Sequence, residues 1–130
     1  MSDKLTILVI DDDALLIGLV EHKLRARGYN VQTATDGQTG LQLARALRPD
    51  LIVLDIMMPG IDGRQVLHEL RADPTLAKVP VVMLTARRRE SDVVDALALG
   101  AADFMSKPFS PDELAARVAR LVPQNGAARP

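Results

Sequence analysis

The chain has 130 residues, of which 25% are charged, with a formal net charge of −1 and no cysteine. Its length suits one domain with an apolar core, and its near-zero net charge gives no overall attraction to nucleic acid or anionic lipid. The lack of cysteine excludes disulfides, zinc–thiolate sites and cysteine nucleophiles, and no apolar run could span a membrane, so we expect a cytoplasmic protein that binds neither nucleic acid nor membrane.

Five runs rich in apolar or β-branched residues predict strands, and the amphipathic segments between them predict helices. The predicted strands cover residues 5–10, 30–35, 50–55, 79–85 and 101–106. The predicted helices are ALLIGLVEHKLRARG, QTGLQLARALRP, GRQVLHELRADP, ESDVVDALALG and SPDELAARVARLV. This alternation predicts a parallel sheet covered by helices on both faces. We expect one domain over residues 1–122, with 123–130 a flexible tail or the start of a linker.

Local signals within the helical segments predict which residues cap them and support a helical conformation. Asp13 is expected to N-cap the first helix. Ser110 is expected to N-cap the fifth, with Pro111 at its first position and Glu113 completing a capping box. In the first helical segment, the three- and four-residue spacing of Leu15, Leu16, Leu19, Val20 and Leu24 is typical of an amphipathic helix.

Carboxylates and two other polar groups collect at the ends of four predicted strands. Asp11 and Asp12 follow the first strand, Asp55 ends the third, Thr85 ends the fourth and Lys107 follows the fifth. We expect these groups to lie close together, because ligands of open parallel sheets bind at the carboxyl ends of the strands. Clustered carboxylates without His or Cys favour Mg²⁺, with Mn²⁺ as the alternative. Lys107 and Thr85 suit the surroundings of a phosphoryl group in transfer.

One of these acids is expected to accept the phosphoryl group, because the sequence has no P-loop, dinucleotide fingerprint or serine–histidine arrangement. Aspartate can act as the nucleophile. Asp55 is the candidate because it stands alone at the end of the central apolar strand, whereas Asp11 and Asp12 would hold the metal. Position alone also allows the plainer interpretation that Asp55 is a cap or turn residue.

Four stretches, ILVIDDD, PDLIVLDIMMPGIDG, VVMLTA and GAADFMSKPFSPDEL, resemble the receiver domains of two-component response regulators. They follow the family's order and spacing over nearly the whole chain. The resemblance implies a CheY-like, flavodoxin-like (βα)5 three-layer sandwich with strand order 2-1-3-4-5, which the chemotaxis member of the family exemplifies. The C-terminal half, with LTARRRESDVVDALALGAAD and ELAARVARL, resembles the OmpR/PhoB winged-helix class.

The resemblance implies that Asp55 accepts a phosphoryl group from the phosphohistidine of a sensor histidine kinase or histidine phosphotransfer protein, or from a small phosphodonor. It also implies that Asp12 binds Mg²⁺ directly and Asp11 binds it through water. Asp55 and the backbone carbonyl of Met57 would supply further metal ligands. The domain is then a phosphoacceptor switch rather than an enzyme, although it catalyses its own phosphorylation and slow autodephosphorylation.

The resemblance also implies how the phosphoryl group is bound and sensed, with Thr85 and Phe104 as the two switch residues. Lys107 would pair with the phosphoryl group, across a cis peptide bond to Pro108. Thr85 would move to hydrogen-bond the new phosphoryl oxygens, and Phe104 would occupy the space it leaves. Many relatives carry Tyr at this last position, so the phenylalanine loses a hydroxyl and any hydrogen bond it would make. Phosphorylation would thereby switch the face formed by the fourth helix, fifth strand and fifth helix, which controls a partner or output domain.

The same face commonly forms an isologous dimer in the winged-helix class. Asp95, Asp103, Arg117 and Arg120 could supply its charge pairs here. The sequence is expected to be either a stand-alone receiver or a receiver whose output domain is absent from it.

Two rival functions remain open from the sequence. Asp11-Asp12-Asp13-Ala14-Leu15 nearly fits the opening motif of haloacid-dehalogenase-type hydrolases. However, Leu15 replaces Thr or Val, no late acidic pair follows Lys107, and the length leaves no room for a cap domain. A flavodoxin-like cofactor binder would need a Ser/Thr/Gly-rich loop after the first strand, whereas this loop is acidic.

Structural roles are expected for several other residues. His22 and His68 lie among polar helix positions and are expected at the surface. Met57, Met58 and Met83 are expected to pack in the core or to support the site.

Overall fold

The computed structural model describes residues 4–85 and 100–123. The strands in these ranges are β1 (Thr6–Ile10), β2 (Asn30–Ala34), β3 (Leu51–Asp55), β4 (Val81–Thr85) and β5 (Asp103–Ser106). The helices are α1 (Ala14–Ala26), α2 (Gly37–Leu47), α3 (Gly63–Ala72) and α4 (Pro111–Leu121). The fourth predicted helix lies outside the described residues except for Gly100, so α4 is the fifth predicted helix. Of the helices described, none has the length and apolar character needed to cross a membrane.

All strand pairs of the sheet are parallel, in the order β2-β1-β3-β4-β5. This confirms the predicted flavodoxin-like order. Residues of β1 alternate between the two faces of the sheet, as the two-residue period of a strand requires. Leu8 and Ile10 pack with α2 and α3, whereas Ile7 and Val9 pack with α1 and α4. The result is the expected three-layer sandwich, with a separate apolar core on each side of the sheet.

Helix α1 forms where the apolar spacing predicts it, but only part of the apolar set faces the core. Leu15 and Leu19 are 77% and 53% exposed, whereas Ile17, Val20 and Leu24 are buried. The buried set keeps the three- and four-residue helical spacing. Because α1 is apolar on more than one side, spacing alone does not determine which stripe rests on the sheet.

Both predicted N-caps are confirmed. The Asp13 carboxylate accepts a hydrogen bond from the Leu16 amide at 3.1 Å, and the Ser110 hydroxyl accepts one from the Glu113 amide at 3.0 Å. These caps satisfy amides that have no partner within the first helical turn. Each cap lies within four residues of a strand end, at the edge of the sheet that carries the acidic residues.

Arg71, in the last turn of α3, hydrogen-bonds two loops at the opposite edge of the sheet, where the strands begin. Its guanidinium donates to the Gly100 carbonyl at 2.9 and 3.2 Å and to the carbonyls of Leu76 and Ala77 at 3.3 and 3.1 Å. Gly100 has a φ of 101°, and a Cβ there would lie 3.0 Å from Arg71 Nε, so both conformation and space favour glycine. Arg71 thus joins the chain before β4 to the chain before β5.

Candidate phosphoacceptor and metal site

The parallel register brings three of the predicted acids to one place. Ile10 lies opposite Leu54, so Asp11 and Asp55 follow side by side on neighbouring strands. One carboxylate oxygen from each of Asp11, Asp12 and Asp55 lies within 4.8 Å of the other two. Asp11 and Asp55 are only 1% and 2% exposed, whereas Asp12 is exposed. The cluster therefore has a buried floor and a solvent-facing side.

Lys107 supplies a cation to the two buried acids. Its ammonium lies 2.9 Å from Asp11 Oδ2 and 3.4 Å from Asp55 Oδ2. The chain after β5 reaches this position because the Lys107 amide donates to the Thr85 carbonyl at 2.7 Å. The Lys107–Pro108 peptide is cis, as the resemblance implied.

Backbone amides bind the other oxygens of the same two carboxylates. The Asp13 amide donates to Asp11 Oδ1 at 2.9 Å, and the Met57 amide donates to Asp55 Oδ1 at 3.2 Å. Both contacts of Asp55 are longer than the corresponding contacts of Asp11. The Asp55 carboxylate is therefore the less tightly held of the two.

The charges of this site perturb the pKa values of its members. Burial, and then the neighbouring charge of Asp11, raise the pKa of Asp55 from 3.8 to about 6, against the opposing effects of Lys107 and the Met57 amide. Burial would lower the pKa of Lys107, but its contacts with Asp11 and Asp55 outweigh that effect and raise it. Two buried acids thus face one partly exposed ammonium, which leaves excess negative charge for a further cation.

The donor atoms fit a hard divalent cation such as Mg²⁺. Asp11 Oδ2 is buried, and its contact in the described part of the chain is the ion pair with the Lys107 ammonium at 2.9 Å, which leaves part of its acceptor capacity unused. A buried carboxylate oxygen in this state has a lone pair available for a metal or its water. All donors of the cluster are oxygens, the ligand type that Mg²⁺ prefers.

The start of α3 presses against the backbone of Asp55. The Gly63 amide donates to the Ile56 carbonyl at 2.9 Å. A Cβ on Gly63 would come within 2.2 Å of the Asp55 carbonyl oxygen, so only glycine fits. The strand itself, Leu51–Asp55, is buried at every position. The backbone of Asp55 is consequently packed against the start of α3 within a buried strand.

The two predicted switch residues lie on neighbouring strands. Thr85 is 1% exposed and follows Leu84, the β4 residue opposite Asp55. Phe104 is half-buried on β5, opposite Met83, and packs against the core on the α2 and α3 side. The structure therefore places Thr85 one residue beyond the level of Asp55, and Phe104 on the adjacent strand.

The predicted dimer residues that are described pair with one another inside the chain. Asp103 accepts hydrogen bonds from Arg117 at 2.8 Å and from Arg120 at 3.0 Å. Asp95 lies outside the described residues.

The remaining expectations have mixed outcomes. His22 and His68 are exposed, as expected. Met58 and Met83 are buried, whereas Met57 is 49% exposed, so the expectation that it packs in the core is wrong. The hydrogen bond that its backbone amide donates to Asp55 agrees with the alternative expectation, that Met57 supports the site.

Sequence analysis missed a cleft beside Lys107. It has a volume of about 350 Å³ and is lined by Asp13, Leu16, Lys107, Pro108 and Phe109. These residues come from the loops after β1 and β5 and from the start of α1. The only sequence signal was the apolar Phe109 directly after Pro108, in a loop that otherwise reads as polar.

Comparison with known proteins identifies the family. The response regulator receiver domain matches residues 7–119. The chain belongs to this family. It is 44% identical over 124 residues to the alkaline phosphatase synthesis transcriptional regulatory protein PhoP of Bacillus subtilis, covering 95% of this chain and 51% of PhoP. It is 49% identical over 116 residues to the DNA-binding response regulator MtrA of Mycobacterium tuberculosis, covering 88% of this chain and 50% of MtrA. The chain thus spans about half the length of these relatives.

Solved receiver structures share the fold. The chemotaxis protein CheY4 of Vibrio cholerae is 30% identical, with a TM-score of 0.87 over 92% of this chain and 99% of CheY4. The receiver domain of the Francisella response regulator 1452 is 35% identical, with a TM-score of 0.85 over 91% of this chain and 96% of that domain. The transcriptional regulators among the relatives agree with the resemblance to the OmpR/PhoB class.

Membership of the receiver family establishes the general role. The chain is a receiver domain of two-component signal transduction, with a phosphoacceptor role. Response regulators receive their phosphoryl group from histidine kinases, and receiver domains typically bind Mg²⁺. The hydrolase and flavodoxin-like cofactor interpretations are therefore set aside.

Proposed function

We propose that Asp55 is the phosphoacceptor, and that it takes the phosphoryl group from a phosphohistidine of a sensor histidine kinase or histidine phosphotransfer protein. The observation that carries the proposal is the setting of Asp55: a buried carboxylate at the end of the central strand, 3.4 Å from Lys107. Asp11 is equally buried but more tightly engaged, at 2.9 Å on both oxygens. The looser carboxylate is the better nucleophile.

Each residue around Asp55 has a role in the transfer of the phosphoryl group. A bond from an Asp55 carboxylate oxygen to phosphorus forms as the bond from phosphorus to the donor imidazole nitrogen breaks. The Lys107 ammonium stabilises negative charge on the phosphoryl oxygens. Mg²⁺, or Mn²⁺ in its place, would be held by Asp12 and Asp55, by Asp11 through water and by the Met57 carbonyl, and would supply further charge neutralisation.

The aspartyl phosphate acts as the switch. It adds a charge of about −1.5 to −2 beside Lys107. The Thr85 hydroxyl turns to hydrogen-bond its oxygens, and Phe104 moves into the space that Thr85 leaves. The face that includes β5 and α4 then changes its arrangement for a partner or output domain. Because the Met57 side chain is apolar and does not orient an attacking water, the phosphoryl group lasts minutes rather than seconds.

An apolar surface beside the site supports docking of the donor protein. Leu15 and Leu19 are exposed on α1, and the cleft lined by Leu16 and Phe109 adjoins Lys107. Leu15 and Leu19 lie four residues apart on α1, so their side chains share one face of the helix that a partner would cover. The donor would thus approach from the α1 side of the carboxyl edge of the sheet.

A phosphorylation-dependent homodimer through β5, α4 and the segment that contains Asp95 is part of the proposal. Asp103 pairs with Arg117 and Arg120 within the chain, so a dimer would exchange these contacts for contacts with a second copy. Light scattering of the phosphorylated protein tests this, because a species that stays monomeric at high concentration would be inconsistent with the dimer.

The proposed domain spans residues 1–122, with 123–130 as a tail or linker, in a cytoplasmic protein as the cysteine-free sequence suggests.

Intact mass after incubation with acetyl phosphate and Mg²⁺ tests the acceptor assignment. Wild-type protein should gain one phosphoryl group, and Asp55→Asn should gain none. Asp36→Asn is a matched control, because Asp36 is an exposed N-cap of α2 and asparagine caps equally well. Labelling of Asp11 that survives in Asp55→Asn would overturn the proposal.

A further inference from the structure

Met57 is the most exposed methionine of the described residues. Its exposure is 49%, whereas Met58, Met83 and Met105 are at most 7% exposed. The chain has no cysteine, so no thiol competes for an oxidant. Exposed thioethers are oxidised by peroxides to methionine sulfoxide, which reductases can reverse. Among the described sulfur atoms, that of Met57 is therefore the preferred site of oxidation.

The position of Met57 links this reactivity to the acceptor. Its amide nitrogen lies 3.2 Å from Asp55 Oδ1. Because an N–Cα bond is about 1.5 Å long, its Cα lies within about 5 Å of that oxygen. The neighbours Ile56 and Met58 are buried in the core, whereas the Met57 side chain is in solvent. The solvent-exposed Met57 side chain therefore branches from a Cα that lies within about 5 Å of an Asp55 carboxylate oxygen.

We propose that oxidation of Met57 to its sulfoxide shortens the lifetime of the phosphoryl group on Asp55, which makes this receiver sensitive to peroxide. The inference rests on the proposed acceptor role of Asp55. Hydrogen peroxide transfers one oxygen atom to the Met57 sulfur. The sulfur loses two electrons, the O–O bond breaks and water is released.

The chemical difference between the two forms explains the effect. A thioether sulfur is a weak hydrogen-bond acceptor, whereas a sulfoxide oxygen is a strong one. The sulfoxide accepts a hydrogen bond from a water molecule and leaves the water's lone pair free to attack phosphorus. Hydrolysis then breaks the bond between phosphorus and the Asp55 oxygen and returns the carboxylate and inorganic phosphate.

Peptide mapping after graded hydrogen peroxide tests the modification site. We expect Met57 to gain an oxygen atom before Met58, Met83 and Met105 do. Met57→Leu, an apolar side chain of similar size that cannot be oxidised, should gain no oxygen in the peptides that contain positions 57, 58, 83 and 105 under the same mild treatment. Earlier oxidation of a buried methionine would overturn the inference.

Decay of the aspartyl phosphate tests the consequence. Protein phosphorylated with acetyl phosphate and Mg²⁺ is freed of donor and followed by intact mass, with and without prior peroxide. We expect oxidation to shorten the half-life of the wild type by about three- to tenfold, the effect of one added hydrogen bond to the attacking water. The adduct on Met57→Gln, which carries a permanent acceptor, should decay faster than that on Met57→Leu without peroxide, and the half-life on Met57→Leu should not change after peroxide treatment.

The outcomes separate this inference from the proposed function. If untreated wild-type protein forms no adduct on Asp55, the proposed function fails and the inference fails with it. If the adduct forms normally and oxidised wild type decays at the untreated rate, the inference alone is overturned.

Discussion

Replacing Asp55 with asparagine should stabilise the metal-free protein at neutral pH. Burial and the charge of Asp11 raise the pKa of Asp55 from 3.8 to about 6, which means that the folded protein disfavours the ionised form. A shift of about two pH units corresponds to roughly 3 kcal/mol, the most that a neutral isostere recovers. Lys107 retains a partner in the variant, because Asp11 lies 2.9 Å from its ammonium.

The gain in the free energy of unfolding of Asp55→Asn over wild type should increase with pH. Below about pH 3 Asp55 is largely protonated in both folded and unfolded protein, so variant and wild type should be close in stability. Between about pH 4 and pH 6 the unfolded chain releases its proton first, and the wild type therefore loses stability as the pH rises. The variant has no such proton, so the difference in its favour should grow and level off above about pH 7.

Urea unfolding in EDTA, followed by far-UV circular dichroism because the chain has no tryptophan, measures this difference. Asp12→Asn is the control, because Asp12 belongs to the same cluster but is exposed, and we expect a much smaller change. Added Mg²⁺ should stabilise the wild type more than Asp55→Asn, since binding to the folded state adds to stability. A gain that is the same at acid and neutral pH, or a net loss at neutral pH, would refute the reasoning.

Three further predictions concern stability. Lys107→Met should cost roughly 2–4 kcal/mol in EDTA above about pH 7, and less at acid pH where Asp55 is protonated, as urea unfolding at two pH values would check. Arg71→Ala should cost about 2 kcal/mol because several backbone carbonyls lose their donor, with Arg71→Lys recovering less than half in thermal unfolding. Leu19→Ser should change the unfolding free energy by less than about 0.5 kcal/mol, whereas Ile17→Ala should cost roughly 2–4 kcal/mol. Equal costs at the last two positions would contradict the observed orientation of α1.

The sheet and the convergence of the acids were predictable for a physical reason. Strands buried on both faces need near-continuous apolar runs, and β3 is such a run that ends in Asp55. Parallel strands place their carboxyl ends on one edge, so residues as distant in sequence as Asp11 and Lys107 must meet there. The strand order itself followed from the family resemblance rather than from composition.

Features that depend on how helices rest against the sheet were less predictable. The apolar residues of α1 allow more than one buried stripe, and the structure leaves Leu15 and Leu19 in solvent. The sequence also gives no means of telling that Asp103 pairs with Arg117 and Arg120 of its own chain rather than with a second copy. The cleft beside Lys107 depends on the relative positions of two loops, which no local pattern encodes.

Stability and function oppose each other at Asp55. A fold selected only for stability would not bury two neighbouring carboxylates against a single lysine, because the excess charge raises the free energy of the folded state. The same excess charge is what makes the site attract a divalent cation and keeps the Asp55 carboxylate loosely held, at 3.2 and 3.4 Å from its two donors. Under the proposed function, the substitution that most stabilises the metal-free domain is therefore the one that abolishes its signal.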